Sequence, residues 1–180
     1  VARLRQELND FSTTLQDSLS KLIFEEVLSD VELMKAFERC PAGIKHHHAY
    51  AGGLLEHVVM LLRLADRVAS LYPDLDRDLL LVGVLVHDIG KTVELENEKG
   101  FSYTDSGQLL GHVLLGIEIV DDKIRKIEEK TGSPFDQEVA NRIKHMVASH
   151  HGEYAFGAPK LPMTLEAIAL HFIDALDAKL

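Results

Sequence analysis

The chain has 180 residues, 46% of them hydrophobic, which suits one domain with a sizeable core and leaves room for a small appendage. Its 19 Lys and Arg against 29 Asp and Glu give a net charge of −10, which excludes holding nucleic acid by basic surface alone. A nucleic-acid enzyme stays open, because bound divalent metals reverse the local sign. The single cysteine, Cys40, excludes an intrachain disulfide framework and fits a reducing, cytoplasmic setting.

The N-terminal VARLRQELNDF is charged and amphipathic, without the apolar core of a secretory signal, and no apolar run is long enough to span a membrane. Leu4, Leu8, Phe11, Leu15 and Leu22 lie close to a heptad stripe broken at Ser18. They predict either a helix packed on the domain or an arm reaching toward another domain or a partner. A short helix from about Val31 to Arg39 is stopped by Cys40-Pro41-Ala42-Gly43, and Lys45-His46-His47-His48 follow in a loop. From about Ala51 to Leu71 the apolar spacing is helical again, and Pro73 ends it. Asp76 can cap the next helix, DRDLLLVGVLVHD, which is apolar nearly all round and should be the buried centre.

Residues 92–105 read as a loop with a small hairpin. Asp105 and Gln108 resemble a capping box for a helix through Lys130, which Gly132 breaks. Ser133-Pro134, with Asp136 behind, starts a helix to about His150. Gly152, Gly157, Pro159 and Pro162 mark a loop, and a last helix runs from Thr164 to Ala178. The expected fold is all-α: a helical arm over 1–39 and one helical domain over 40–180.

The chemistry sits in the histidines, ten in all. A helix of Leu, Val and Gly has no structural need to end in His87-Asp88. A buried carboxylate should meet a cation, and the imidazole beside it is a neutral nitrogen ligand. Such a mixed donor set suits Mn, Fe, Zn, Co or Ni. His57 in GGLLEHVVM and Asp174 in ALHFIDALDAK interrupt otherwise apolar faces. His112 in LLGHVLLG and His150-His151 in VASHHGE add further candidates. All lie at or within helices of one small domain, where bundle metal sites are built.

The order H…HD…H…HH…D resembles the HD superfamily of metal-dependent phosphohydrolases. The strings HHAYAGGLLEH, LVHDIGK, YTDSGQLLGHVLLG, SHHGEYAFGAPKLPMTLEA and LHFIDALDAK look like the HD domain of the YhaM-type 3′-to-5′ exoribonucleases, over roughly residues 40–180. The resemblance implies that His57, His87, Asp88 and Asp174 ligate a first metal. It implies that His112, His150 and His151 ligate a second, with Asp88 bridging. One or two divalent transition metals per chain are expected, manganese first among them. The implied reaction is metal-assisted hydrolysis with in-line displacement at phosphorus. Lys91 could reach a phosphate oxygen, or could neutralise a helix C-terminus. In that family an OB-fold nucleic-acid-binding domain precedes the HD domain, and no such β-rich segment is present here. The valine start favours its removal, and the N-terminal arm makes a homo-oligomer plausible.

Other residues carry weaker expectations. His47 or His48 could contact substrate phosphate or serve the loop. His145 is read as structural, His171 as an orienter sharing a face with Asp174, and Asp177 as an ion-pair partner or a solvated end. Gly157 and Pro159 would shape a loop over the site. Tyr154, Phe156, Tyr50 and Tyr103 could stack on bases or simply pack.

Three functions compete. The first is a 3′-to-5′ exonuclease on single-stranded RNA, and also DNA, releasing nucleoside 5′-monophosphates. The second is a phosphodiesterase or nucleotidase on cyclic or small nucleotides. For the cyclic-dinucleotide branch, the Gly-Tyr-Pro loop is replaced by Gly157-Ala158-Pro159. The third is a non-catalytic nucleic-acid-binding module that keeps the helical shell.

Overall fold

Residues 77–86 are apolar on every side after the first turn, and they form the helix that the rest of the chain surrounds. In the computed structural model, which describes residues 1–43, 50–96 and 102–180, helix α5 (Arg77–Val86) is buried from Asp78 to its end. The Asp76 side chain accepts a hydrogen bond from Leu79 N at 3.0 Å and caps it, as the sequence predicts. Around it pack α2 (Ser18–Ser29), α4 (Gly53–Leu71), α8 (Gln137–Ser149) and α9 (Leu165–Asp177). Helix α7 (Asp105–Thr131) closes the shell against α2, α8 and the short α6 (Lys91–Glu94). The all-α expectation holds. Among the described residues the strand structure is one antiparallel pair, β1 (Leu95–Glu96) with β2 (Ser102–Tyr103), in register Leu95 to Tyr103, where a small hairpin was expected.

The N-terminal stripe makes two helices. Helix α1 (Ala2–Thr14) ends before the expected break, and Asp17 caps α2 through Ser20 N at 2.7 Å. The carboxylate of Asp78, buried in the first turn of α5, accepts the backbone N–H of Asp17 at 2.7 Å and fastens this corner to the centre. Residues 1–39, whose apolar stripe predicts either a helix packed on the domain or an arm, contribute Leu8, Ile23, Phe24, Val27 and Phe37 to the same apolar core as α4 and α5. Helix α3 (Val31–Phe37) is capped by Asp30, whose other oxygen pairs with the buried Lys123 of α7.

Two boundaries differ from expectation for reasons of capping. Thr104, not Asp105, caps α7, its hydroxyl accepting from Gly107 N at 2.9 Å. The hydroxyl of Thr104 also donates to Val93 O, so the cap is tied to α6 as well. Asp136 itself caps α8, accepting from Glu138 N and Val139 N. Helix α7 is also interrupted: Gly111 has φ 73° and ψ 160°, a left-handed, extended kink that a side chain resists. The kink falls one residue before His112.

Candidate metal centre

Five elements end or bend around one point. His57 comes from α4, His87 and Asp88 from the C-terminus of α5, and His112 from the kink of α7. His150 and His151 follow the end of α8, and Asp174 lies on α9. The C-terminal end of α5 carries the negative pole of the helix dipole, which favours a cation. The structure brings all seven predicted ligands together.

They divide into two adjoining groups. In the first, His57 Nε2 lies 3.3 Å from His87 Nε2, 3.3 Å from Asp174 Oδ1 and 3.8 Å from Asp88 Oδ2. In the second, His112 Nε2 lies 3.2 Å from His151 Nε2 and 3.5 Å from Asp88 Oδ1. His150 Nε2 is also 3.5 Å from Asp88 Oδ1. Asp88 thus turns one oxygen to each group. Ligand atoms of His57, His87 and Asp88, and separately of His112, His150 and His151, fall within 4.8 Å of one another.

The outer nitrogen of each ring is occupied. His87 Nδ1 bonds Val84 O at 2.8 Å, His150 Nδ1 bonds Val147 O at 2.7 Å, and His151 Nδ1 bonds Phe156 O at 2.8 Å. A carbonyl can only accept, so in these rings Nδ1 carries the proton and Nε2, when neutral, turns a lone pair inward. Burial, with His150 and His112 nearby, holds the pKa of His151 down at about 4, and burial also lowers that of His150. His57 Nδ1 faces Asp177 Oδ2 at 2.7 Å, and His112 Nδ1 faces Glu94 Oε1 at 3.2 Å. Histidines that ligate metals are commonly oriented by carboxylates in this way.

These residues fit a cation on their own chemistry. Asp88 Oδ1 and His150 Nε2 are buried without a hydrogen-bond partner, an arrangement that is costly unless a positive charge sits between them. Burial alone would raise Asp88 and Asp174, yet neighbouring cationic groups keep both ionised. Lys91 and His87 lower Asp88 most, and the hydrogen bond with His57 draws Asp174 to about 2. Burial would likewise depress His57, but Asp174 and Asp177 bond to it and hold it at about 9. Imidazole with carboxylate at this burial suits a divalent transition metal.

Lys91 Nζ sits 2.6 Å from Asp88 Oδ2 and 2.6 Å from Ala42 O. It lines a cavity of about 250 Å³ with His57, Asp88, His150, His151, Asp174 and Asp177. Tyr154 lies on the exposed 3₁₀ turn Tyr154–Phe156 and lines neither this cavity nor the adjoining one. Tyr50 bonds Glu56, and Tyr103 belongs to β2; neither lines this cavity or the adjoining one. His47 and His48 lie outside the described residues. His145 is structural, its Nε2 accepting from Met163 N at 3.0 Å. His171 orients the backbone rather than Asp174: its Nδ1 donates to His150 O at 2.8 Å.

Glu94 is the functional residue that the sequence reading missed. Its buried carboxylate accepts from His112 N at 3.0 Å as well as facing the ring, so it caps the helix restarted after Gly111 and aims His112. An acid one turn beyond Lys91 was the available signal.

A family model described as HD domain matches residues 54–179, a span that contains every candidate ligand. The chain is 41% identical over 175 residues to the 3′-5′ exoribonuclease YhaM of Bacillus licheniformis, covering 92% of this chain and 54% of that protein. The figures for YhaM of Bacillus subtilis are the same. Identity to YhaM of a Geobacillus species is 45% over 152 residues, covering 82% of this chain and 45% of that protein. The chain therefore spans about half the length of the curated relatives it matches. No solved structure matches it. With its matched span enclosing His87-Asp88 and both ligand groups, the chain belongs to the HD domain family.

Proposed function

We infer that the chain is the hydrolytic domain of a metal-dependent phosphodiesterase, acting as a 3′-to-5′ exonuclease on single-stranded RNA and releasing nucleoside 5′-monophosphates. The observation that carries the reaction class is the pair of ligand groups sharing Asp88. The names of the relatives, all 3′-5′ exoribonucleases, support the substrate and polarity.

His57, His87, Asp88 and Asp174 would hold one ion, and His112, His150, His151 and Asp88 the other, manganese being first among the candidates. Such ions supply Lewis acidity toward water and toward phosphoryl oxygens. The protein's own groups do the positioning. The Nδ1 contacts lock every imidazole, so little reorganisation accompanies binding. Lys91 spends two of its three ammonium protons on Asp88 and Ala42, which fixes the bridging carboxylate. The third can meet a phosphoryl oxygen. Of the wall residues, His57, Asp88 and His150 are buried, which places their polar atoms where electrostatic contacts are strongest.

Incubating the chain with Mn²⁺ and 5′-labelled single-stranded RNA should give a ladder shortening from the 3′ end. Absence of shortening, under conditions in which cyclic dinucleotides are cleaved, would contradict the exonuclease reading. His87→Ala and Asp88→Ala should abolish turnover with the helical circular-dichroism signal retained. Unchanged turnover in either variant would contradict the assignment of the centre.

A further inference from the structure

Beside the metal-centre cavity lies a second cleft of about 470 Å³, within the usual range for small-ligand sites. The two share His150, His151 and Asp174 as a common wall. Glu153 and Phe156 from the loop after α8 form one side of the cleft, and His171, Phe172, Ala175 and Lys179 from α9 and the C-terminal residues form the other. The shared wall is polar and charged, and each flank carries one phenylalanine.

Phe156 is 64% exposed and Phe172 is 66% exposed, high values for large apolar rings so near a buried polar centre. Both are joined through their backbones to residues of the centre. The backbone carbonyl of Phe156 accepts from His151 Nδ1, so the loop bearing it is tied to a candidate ligand. Phe172 lies on α9 two residues before Asp174, another candidate ligand, and its ring stands 5.1 Å from that of His171. His171 in turn holds His150 O. The cleft therefore opens directly beside the candidate ligands His150, His151 and Asp174.

We propose that Phe156 and Phe172 form a nucleobase subsite, stacking on the base of the nucleotide whose phosphate lies at the metal centre, with Lys179 beside it to meet a neighbouring phosphate. Stacking is tolerant of base identity, because every base has a π face. That suits an enzyme that must accept each terminal nucleotide in turn. The proposal rests on the phosphodiesterase reading only for the position of the phosphate, and its test does not require turnover.

Calorimetric titration of the chain in Mn²⁺ with AMP and with ribose 5-phosphate isolates the base. AMP should bind about tenfold or more tightly than ribose 5-phosphate. Phe156→Ala and Phe172→Ala should each weaken AMP about tenfold, leaving ribose 5-phosphate and metal content unchanged. Phe156→Leu and Phe172→Leu, which keep apolar bulk, should lose the same preference. Equal binding of the two ligands by the wild type, or equal weakening of both in the variants, would overturn the subsite. So would variants that alter only self-association, since Phe172 also borders an apolar groove with Leu165, Ile168 and Leu176. If AMP preference is found but no RNA is shortened, the subsite stands and the exonuclease reading fails.

Discussion

At the scale of single residues, the centre depends on groups that touch no ligand site directly. Glu94 holds both the backbone and the ring of His112. Glu94→Gln should weaken binding of one ion about 10- to 100-fold while leaving the other, as loss of an orienting carboxylate does. Titration with Mn²⁺ followed by electron paramagnetic resonance reads this directly, and two unchanged affinities would contradict the role. Gly152 is constrained differently. Its φ is 77°, and a Cβ there would fall 2.0 Å from the His171 ring. Gly152→Ala should cost roughly 1–3 kcal/mol in urea unfolding and displace His150, to which His171 is bonded. The His-Asp order was legible because each polar residue interrupts an apolar face. Glu94 was not, because the kink at Gly111 that brings His112 to it leaves no periodic trace.

Among the helices, the boundaries follow caps. Asp76 and Thr164 stand where the sequence places helix starts, because short oxygen-bearing side chains satisfy free N–H groups locally. The break between α1 and α2 was less legible. The apolar stripe continues through Leu15, and what ends α1 is a long-range bond to Asp78, 61 residues away from Asp17. Asp30 joins α3 to α7: the hydrogen bond from Lys123, then that from Leu33 N, brings its pKa from 3.8 to about 2. A folded pKa below the unfolded one stabilises the fold above the unfolded value, and that contribution is lost as pH falls through the folded one. The stability advantage of the wild type over Asp30→Asn should therefore be full above about pH 4 and shrink toward pH 2. At neutral pH, Asp30→Ala should cost about 2 kcal/mol through the lost cap and the unpaired Lys123. An advantage independent of pH in this range would show that the ion pair contributes nothing.

Across the whole molecule, the centre is the place where α4, α5, α7, α8 and α9 meet, so ions bound there stabilise the assembled helices over the unfolded chain. At 100 times its dissociation constant, Mn²⁺ should add about 2.7 kcal/mol, or roughly 5–10 °C in Tm. Addition of EDTA should reverse the shift. Among the described residues no helix is long and apolar enough to cross a membrane. The all-α architecture was legible from 3.6-residue periodicity and the doubly apolar α5. For residues 1–39 the sequence left packing on the domain and an arm both open, because an amphipathic stripe states that it will be covered without stating by what. The most direct test of the shared centre is metal stoichiometry by mass spectrometry after equilibration with Mn²⁺ and desalting. Two ions per wild-type chain, one in His112→Ala and none in Asp88→Ala are predicted; a wild type that retains no ion, or an Asp88→Ala chain that retains both, would contradict it.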